Sequence, residues 1–63
     1  MNITTDEMVD DWYAAKLDVL CCQKLMALGS DELAERLEGN KKVMAIIEAE
    51  LEKRGETGRI QRS

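Results

Sequence analysis

The stretch Met26-Ala27-Leu28-Gly29-Ser30-Asp31-Glu32-Leu33 decides how this chain folds. Gly29 is placed to end a helix, because glycine takes the left-handed position after a last turn without a Cβ penalty. Ser30 offers a side-chain oxygen to cap a new helix, and Asp31 and Glu32 put negative charge in its first turn, where the helix dipole favours it. A helix that stops and another that starts within two residues must run antiparallel. The fold class expected is all-α: a two-helix hairpin with helices over 5–28 and 31–54 and a turn at 29–30.

Both outer ends carry matching signals. Thr4 is an N-cap with Glu7 three residues on, the capping-box spacing, and Ile3 and Met8 occupy the two positions of a hydrophobic staple. Asp6 and Glu7 supply first-turn charge. At the far end Lys53 and Arg54 fill a last turn and Gly55 stops it. This makes 1–55 a helical hairpin. Residues 56–63, from Glu56 through Arg59, Ile60 and Arg62 to Ser63, read as a flexible polar tail. Gly39 is the weak point, since glycine inside a helix costs about 1 kcal/mol relative to alanine. With Asn40 it offers a break that would split the second helix. The continuous helix is preferred, because the apolar spacing runs through the glycine.

That spacing names the core. Steps of four and three give Met8, Trp12, Ala15, Val19, Cys22 and Met26 on the first helix, and Leu33, Leu37, Asn40, Met44, Ile47 and Leu51 on the second. Each set is an a/d seam of nearly three heptads. Trp12 reads as the core anchor, or as a partner hot spot if a second chain covers it. Asn40, the one polar seam residue, either sets register or belongs to the Gly39 interruption. The apolar stripe is wider than the seam: Val9, Tyr13, Leu20 and Ala27 flank it on one helix, and Ala34, Ile46 and Ala49 on the other. A lone hairpin leaves such flanks wet, whereas four helices cover them. A two-fold homodimer forming a four-helix bundle is the simplest expectation, and a partner protein's helix is the alternative.

Composition bounds the rest. Sixty-three residues bury only about 60% of the unfolded surface, so chains this short lean on disulfides, metals or association. The two cysteines, Cys21 and Cys22, are adjacent and cannot tie distant segments, and there is no histidine to complete a zinc site. Association remains. With 13 acids against 9 bases the net charge is −4, which disfavours phosphate backbones. No apolar run approaches the roughly 20 residues of a membrane span. The opening Met1-Asn2-Ile3-Thr4-Thr5-Asp6 lacks the basic and apolar regions of a signal peptide, and unpaired thiols fit a reducing cytoplasm.

No chemistry of catalysis is expected. Without histidine, general acid–base work has no obvious agent, and Cys22 faces the seam as a small hydrophobe while Cys21 points away as a free thiol. The acids Asp6, Glu7, Asp10 and Asp11 sit in a helix start, without the alternating loop spacing of a calcium site. No cofactor or metal is implied. Glu32 with Arg36, Glu38 with Lys42, and Glu50 with Arg54 are i,i+4 pairs in the favourable order, each contributing a few tenths of a kcal/mol on a solvated face.

Two resemblances bear on role. The seam Met8 to Met26, the turn Gly29-Ser30-Asp31 and the seam Leu33 to Leu51 resemble the Rop family of small-plasmid regulators, hairpins that dimerise into four-helix bundles and bind paired RNA loops through the outer face of the first helix. The matching face here carries Asp10, Ala14 and Asp18. The departure carries over the architecture and removes the RNA contacts, so Rop-like nucleic-acid regulation stays as the alternative function. The opening Met1-Asn2-Ile3-Thr4-Thr5, the stretch Asp11-Trp12-Tyr13-Ala14-Ala15-Lys16 and Leu28-Gly29-Ser30-Asp31 resemble small early proteins of lambdoid phages. That likeness implies a non-enzymatic protein of the host cytoplasm that acts on host or phage factors to influence lysis–lysogeny development and prophage induction. It implies no particular site residues.

Overall fold

Thr4 starts the first helix by accepting, at its hydroxyl oxygen, the Glu7 amide at 3.1 Å. The helix that follows, α1, spans Thr5–Ala27 in the computed structural model, which describes residues 3–60. At its end Gly29 takes φ 106°. The Ser30 amide then reaches back to the Leu25 carbonyl at 3.1 Å and the Gly29 amide to Met26 at 2.9 Å. These are the two bonds of a Schellman stop.

The second helix, α2, spans Ala34–Arg54 and runs unbroken through Gly39 and Asn40. Gly55 ends it at φ 71°, with the Glu56 amide on Leu51 at 2.8 Å and the Gly55 amide on Glu52 at 3.1 Å. Its start departs from the expected Ser30 cap. The Ser30 side chain makes no capping bond, and Asp31–Leu33 is a 3₁₀ turn leading into α2. So sharp a reversal places the Ser30 carbonyl 3.3 Å from the Leu33 amide and the Gly29 carbonyl 3.1 Å from that of Asp31. Backbone oxygens thereby take the role of the serine hydroxyl.

The seams meet as the apolar spacing requires. Near the chain termini, Met8, Val9 and Trp12 of α1 pack with Ile47 and Leu51 of α2, and Tyr13 and Met44 lie against them. Near the turn, Val19, Cys22 and Leu37 form a second cluster, supported by Met26, Leu33 and again Met44. Trp12 and Leu51 are the largest fully buried side chains, and Ala15 is buried as well. Truncating a buried side chain in either cluster typically costs about 2–5 kcal/mol.

The tail departs from expectation. Residues 56–60 fold back through a 3₁₀ turn at Thr57–Arg59 and bury Ile60 to 6% exposure in the Trp12 cluster. Arg59 reaches the Asp6 carboxylate at 2.5 Å, and the Tyr13 hydroxyl donates to the Arg59 carbonyl at 3.5 Å. The positive φ of Gly55 aims the chain back along α1, and one isoleucine finds apolar cover there. Gln61, Arg62 and Ser63 lie outside the described residues, as do Met1 and Asn2.

The molecule measures 39 × 25 × 14 Å. A helix with its side chains is about 10–12 Å across, so the short dimension is one helix thick. No helix among the described residues is long and apolar enough to cross a membrane.

Candidate protein-interaction surface

The twelve seam residues divide cleanly. Met8, Trp12, Ala15, Val19, Cys22, Leu37, Ile47 and Leu51 are buried, while Met26, Leu33, Asn40 and Met44 are half-buried at its edges. All of that burial arises within one chain, so the seam is the hairpin's own core.

Between the two apolar clusters the helices are tied by polar groups. Arg36 grips Asp18 with both arms, Nε to Oδ2 at 2.7 Å and Nη2 to Oδ1 at 2.8 Å. Asn40 adds a bond from its amide nitrogen to the same carboxylate and another to the Arg36 carbonyl at 3.1 Å. Bidentate arginine–carboxylate pairs are among the stronger and more directional polar contacts. They hold the Asp18 carboxyl below the ordinary carboxylate range, the Arg36 hydrogen bond outweighing the upward push of desolvation, and raise the Arg36 guanidinium in turn. Asn40 thus bridges the helices from the seam's edge.

This geometry corrects two of the expected i,i+4 pairs. Arg36 turns from Glu32 to cross to Asp18, and Glu38 meets Lys41 at 3.9 Å rather than Lys42. Glu50 and Arg54 pair as the sequence spacing proposed, at 3.3 Å. Arg54 also donates to the Thr5 hydroxyl at 3.2 Å, fastening the two helix ends. Trp12 is held on three sides: its indole NH donates to Glu48 at 3.0 Å, Tyr13 stands edge-on at 5.0 Å, and the Lys16 ammonium lies 5.2 Å from its ring centroid.

The flanks behave unequally. Val9 is buried in the cluster that holds the chain's own Ile60, and Tyr13 is half-buried beside Arg59. Arg59 of the C-terminal segment is held by Asp6, whose hydrogen bond raises its pKa. Leu20 and Ile46 stay exposed, at 45% and 70%. Leu17 at 68% and Leu28 at 83% join them, neither of which the seam reading singled out. The signal was present: Tyr13, Leu17 and Leu20 recur at helical spacing on a second stripe of α1 that Leu28 extends at its C-cap, broken only by Lys24.

Ile46 lines a groove of about 480 Å³ between the helices, together with Ile3, Met8, Asp11, Ile47 and Glu50. Among the described residues no three His, Cys, Asp or Glu side chains converge as metal ligands. Cys21 is exposed and Cys22 buried, and both are free thiols.

Comparisons with protein-family models, with curated proteins and with solved structures return no match.

Proposed function

We propose that this chain is a non-enzymatic interaction module that works by pairing, first with a second copy of itself and through that pair with another protein. One observation carries the reading: large apolar side chains stand exposed on the outside of the hairpin, Leu17, Leu20 and Leu28 along one stripe of the first helix and its cap, and Ile46 on the second helix. Isolated exposed hydrophobes are normal on monomers, whereas several aligned on one helix mark an interaction face. The absence of histidine and the engagement of the polar side chains in helix-to-helix ties support a structural rather than a catalytic use of this scaffold.

A homodimer that buries the Leu17 stripe and brings four helices together is the arrangement we favour. The resemblance to small lambdoid-phage early proteins supports a setting in the host cytoplasm, where the pair acts on a host or phage factor that influences lysis–lysogeny development.

Sedimentation equilibrium tests the first step. The expected result is a concentration-dependent mass reaching twice the 7.1 kDa of one chain. A single 7.1 kDa species from micromolar to millimolar concentration overturns self-pairing. For the second step, a tagged copy expressed in induced lysogens should enrich a host or phage protein that a Leu17→Glu copy does not.

A further inference from the structure

We propose that the second copy docks on the outer stripe formed by Tyr13, Leu17 and Leu20 of α1 and by Leu28 at its C-cap, with the two α1 helices antiparallel and Asp10 of each copy facing Lys24 of the other. The proposal rests on the self-pairing reading above and names its surface and orientation.

Three observations select this face. The stripe residues recur at intervals that keep them on one side of a helix, and Leu17, Leu20 and Leu28 are 68%, 45% and 83% exposed. Charge then sets direction: α1 carries acids in its first turn and Lys24 in its last. A parallel arrangement sets acid beside acid, whereas an antiparallel one sets Lys24 beside acid.

The spacing also suits a two-fold axis. Asp10 and Lys24 lie seven residues on either side of Leu17, two helical turns each way. An axis beside Leu17 therefore brings the two Leu17 side chains together, Leu20 against Tyr13 of the second copy, and both Asp10–Lys24 pairs into reach at once. Lys24 makes no ion pair among the described residues. The exposed apolar residues of α2 offer less. Val43 and Ile46, 42% and 70% exposed, are bordered by the Asp18–Arg36 and Glu50–Arg54 pairs, whose charges are already matched within the chain.

The test is sedimentation equilibrium of the full chain and five variants, with helical content checked by circular dichroism. The altered side chains are exposed or at the stripe's edge, so the hairpin is expected to keep its helicity. Leu17→Glu should weaken pairing at least tenfold, and Ile46→Glu should leave it within about twofold. Asp10→Lys and Lys24→Asp should each weaken it several-fold, and the two together should restore it. Asp10→Lys is the sharpest arm. It changes the net charge from −4 to −2, so general repulsion calls for tighter pairing and the stripe calls for looser. A dimer that ignores Leu17→Glu but breaks with Ile46→Glu overturns this surface and leaves self-pairing intact. So does a double charge swap as weak as either single change. A wild-type chain that never pairs removes both readings.

Discussion

The indole nitrogen of Trp12 donates to Glu48 at 3.0 Å, so the largest buried side chain is also fastened by hydrogen bond to the facing helix. A chain of this length has a stability of about 3–9 kcal/mol. Truncating a buried tryptophan typically costs about 3–5 kcal/mol, so Trp12→Ala should lose a large part of that stability. Trp12→Phe retains an aromatic core but removes one hydrogen bond to the half-buried, charged Glu48 carboxylate, with an expected cost of about 1–3 kcal/mol. Urea melts followed by circular dichroism separate the two. Equal losses in both variants would mean the hydrogen bond, rather than the packing, holds the helix pair.

Two glycines should respond in opposite directions. Gly39 lies inside α2, and a methyl group there meets nothing within 4 Å. Gly39→Ala should therefore stabilise the hairpin by about 1 kcal/mol, the propensity difference between the two residues in a helix. Gly55 also has open space, but its φ of 71° is left-handed. Gly55→Ala should cost about 1–2 kcal/mol, because a Cβ is strained there. Thermal or urea midpoints of the two variants, on either side of wild type, check both.

Asp18 gives the hairpin an acid-sensitive tie. Its carboxyl titrates below the ordinary range, first because Arg36 hydrogen-bonds its charged form, with help from Asn40 and the Arg36 charge against an opposing desolvation. In the unfolded chain it returns to about 3.9. A group depressed in the folded state contributes its stability above the unfolded pKa and loses it as pH falls through the folded one. The wild type should therefore lose more stability than Asp18→Asn between about pH 5 and the depressed folded value, and the gap between them should close at lower pH. Urea midpoints measured across that range provide the check. A constant gap would show that the Asp18 charge has no part in acid unfolding.

The helices and their seam were legible in the sequence because the information is local and periodic. Caps at Thr4, Gly29 and Gly55 act within one turn, and residues three and four apart share a face whatever lies opposite. The docking of Ile60 was not legible. It is one apolar residue in a polar segment, with no period to reveal it, and its partners are more than forty residues away at Val9 and Trp12. Arg36 misled for a related reason. The i,i+4 rule offered Glu32, worth a few tenths of a kcal/mol, and a bidentate grip on Asp18 across the helix pair won. Leu17 and Leu28 were passed over because they fall on a second stripe, away from the seam.

The returning C-terminal segment should therefore matter more to stability than its position at the end of the chain suggests. Ile60 is 6% exposed within the Trp12 cluster, and isoleucine-to-alanine changes in cores cost about 2–5 kcal/mol. A chain end relaxes more readily than a helix, which places Ile60→Ala near the low end, at about 2 kcal/mol. Arg59 offers an internal control. Its bond to Asp6 is short, but its side chain is 44% exposed and that of Asp6 is 77% exposed. Exposed pairs of this kind contribute about 0–1 kcal/mol, so Arg59→Ala should move the urea midpoint far less than Ile60→Ala. Trp12 fluorescence supplies a second readout, since losing Ile60 lets water approach the indole and should shift its emission to longer wavelength. If Ile60→Ala changes neither midpoint nor emission, apolar docking does not hold the segment. If Arg59→Ala costs more, the ion pair is the fastening.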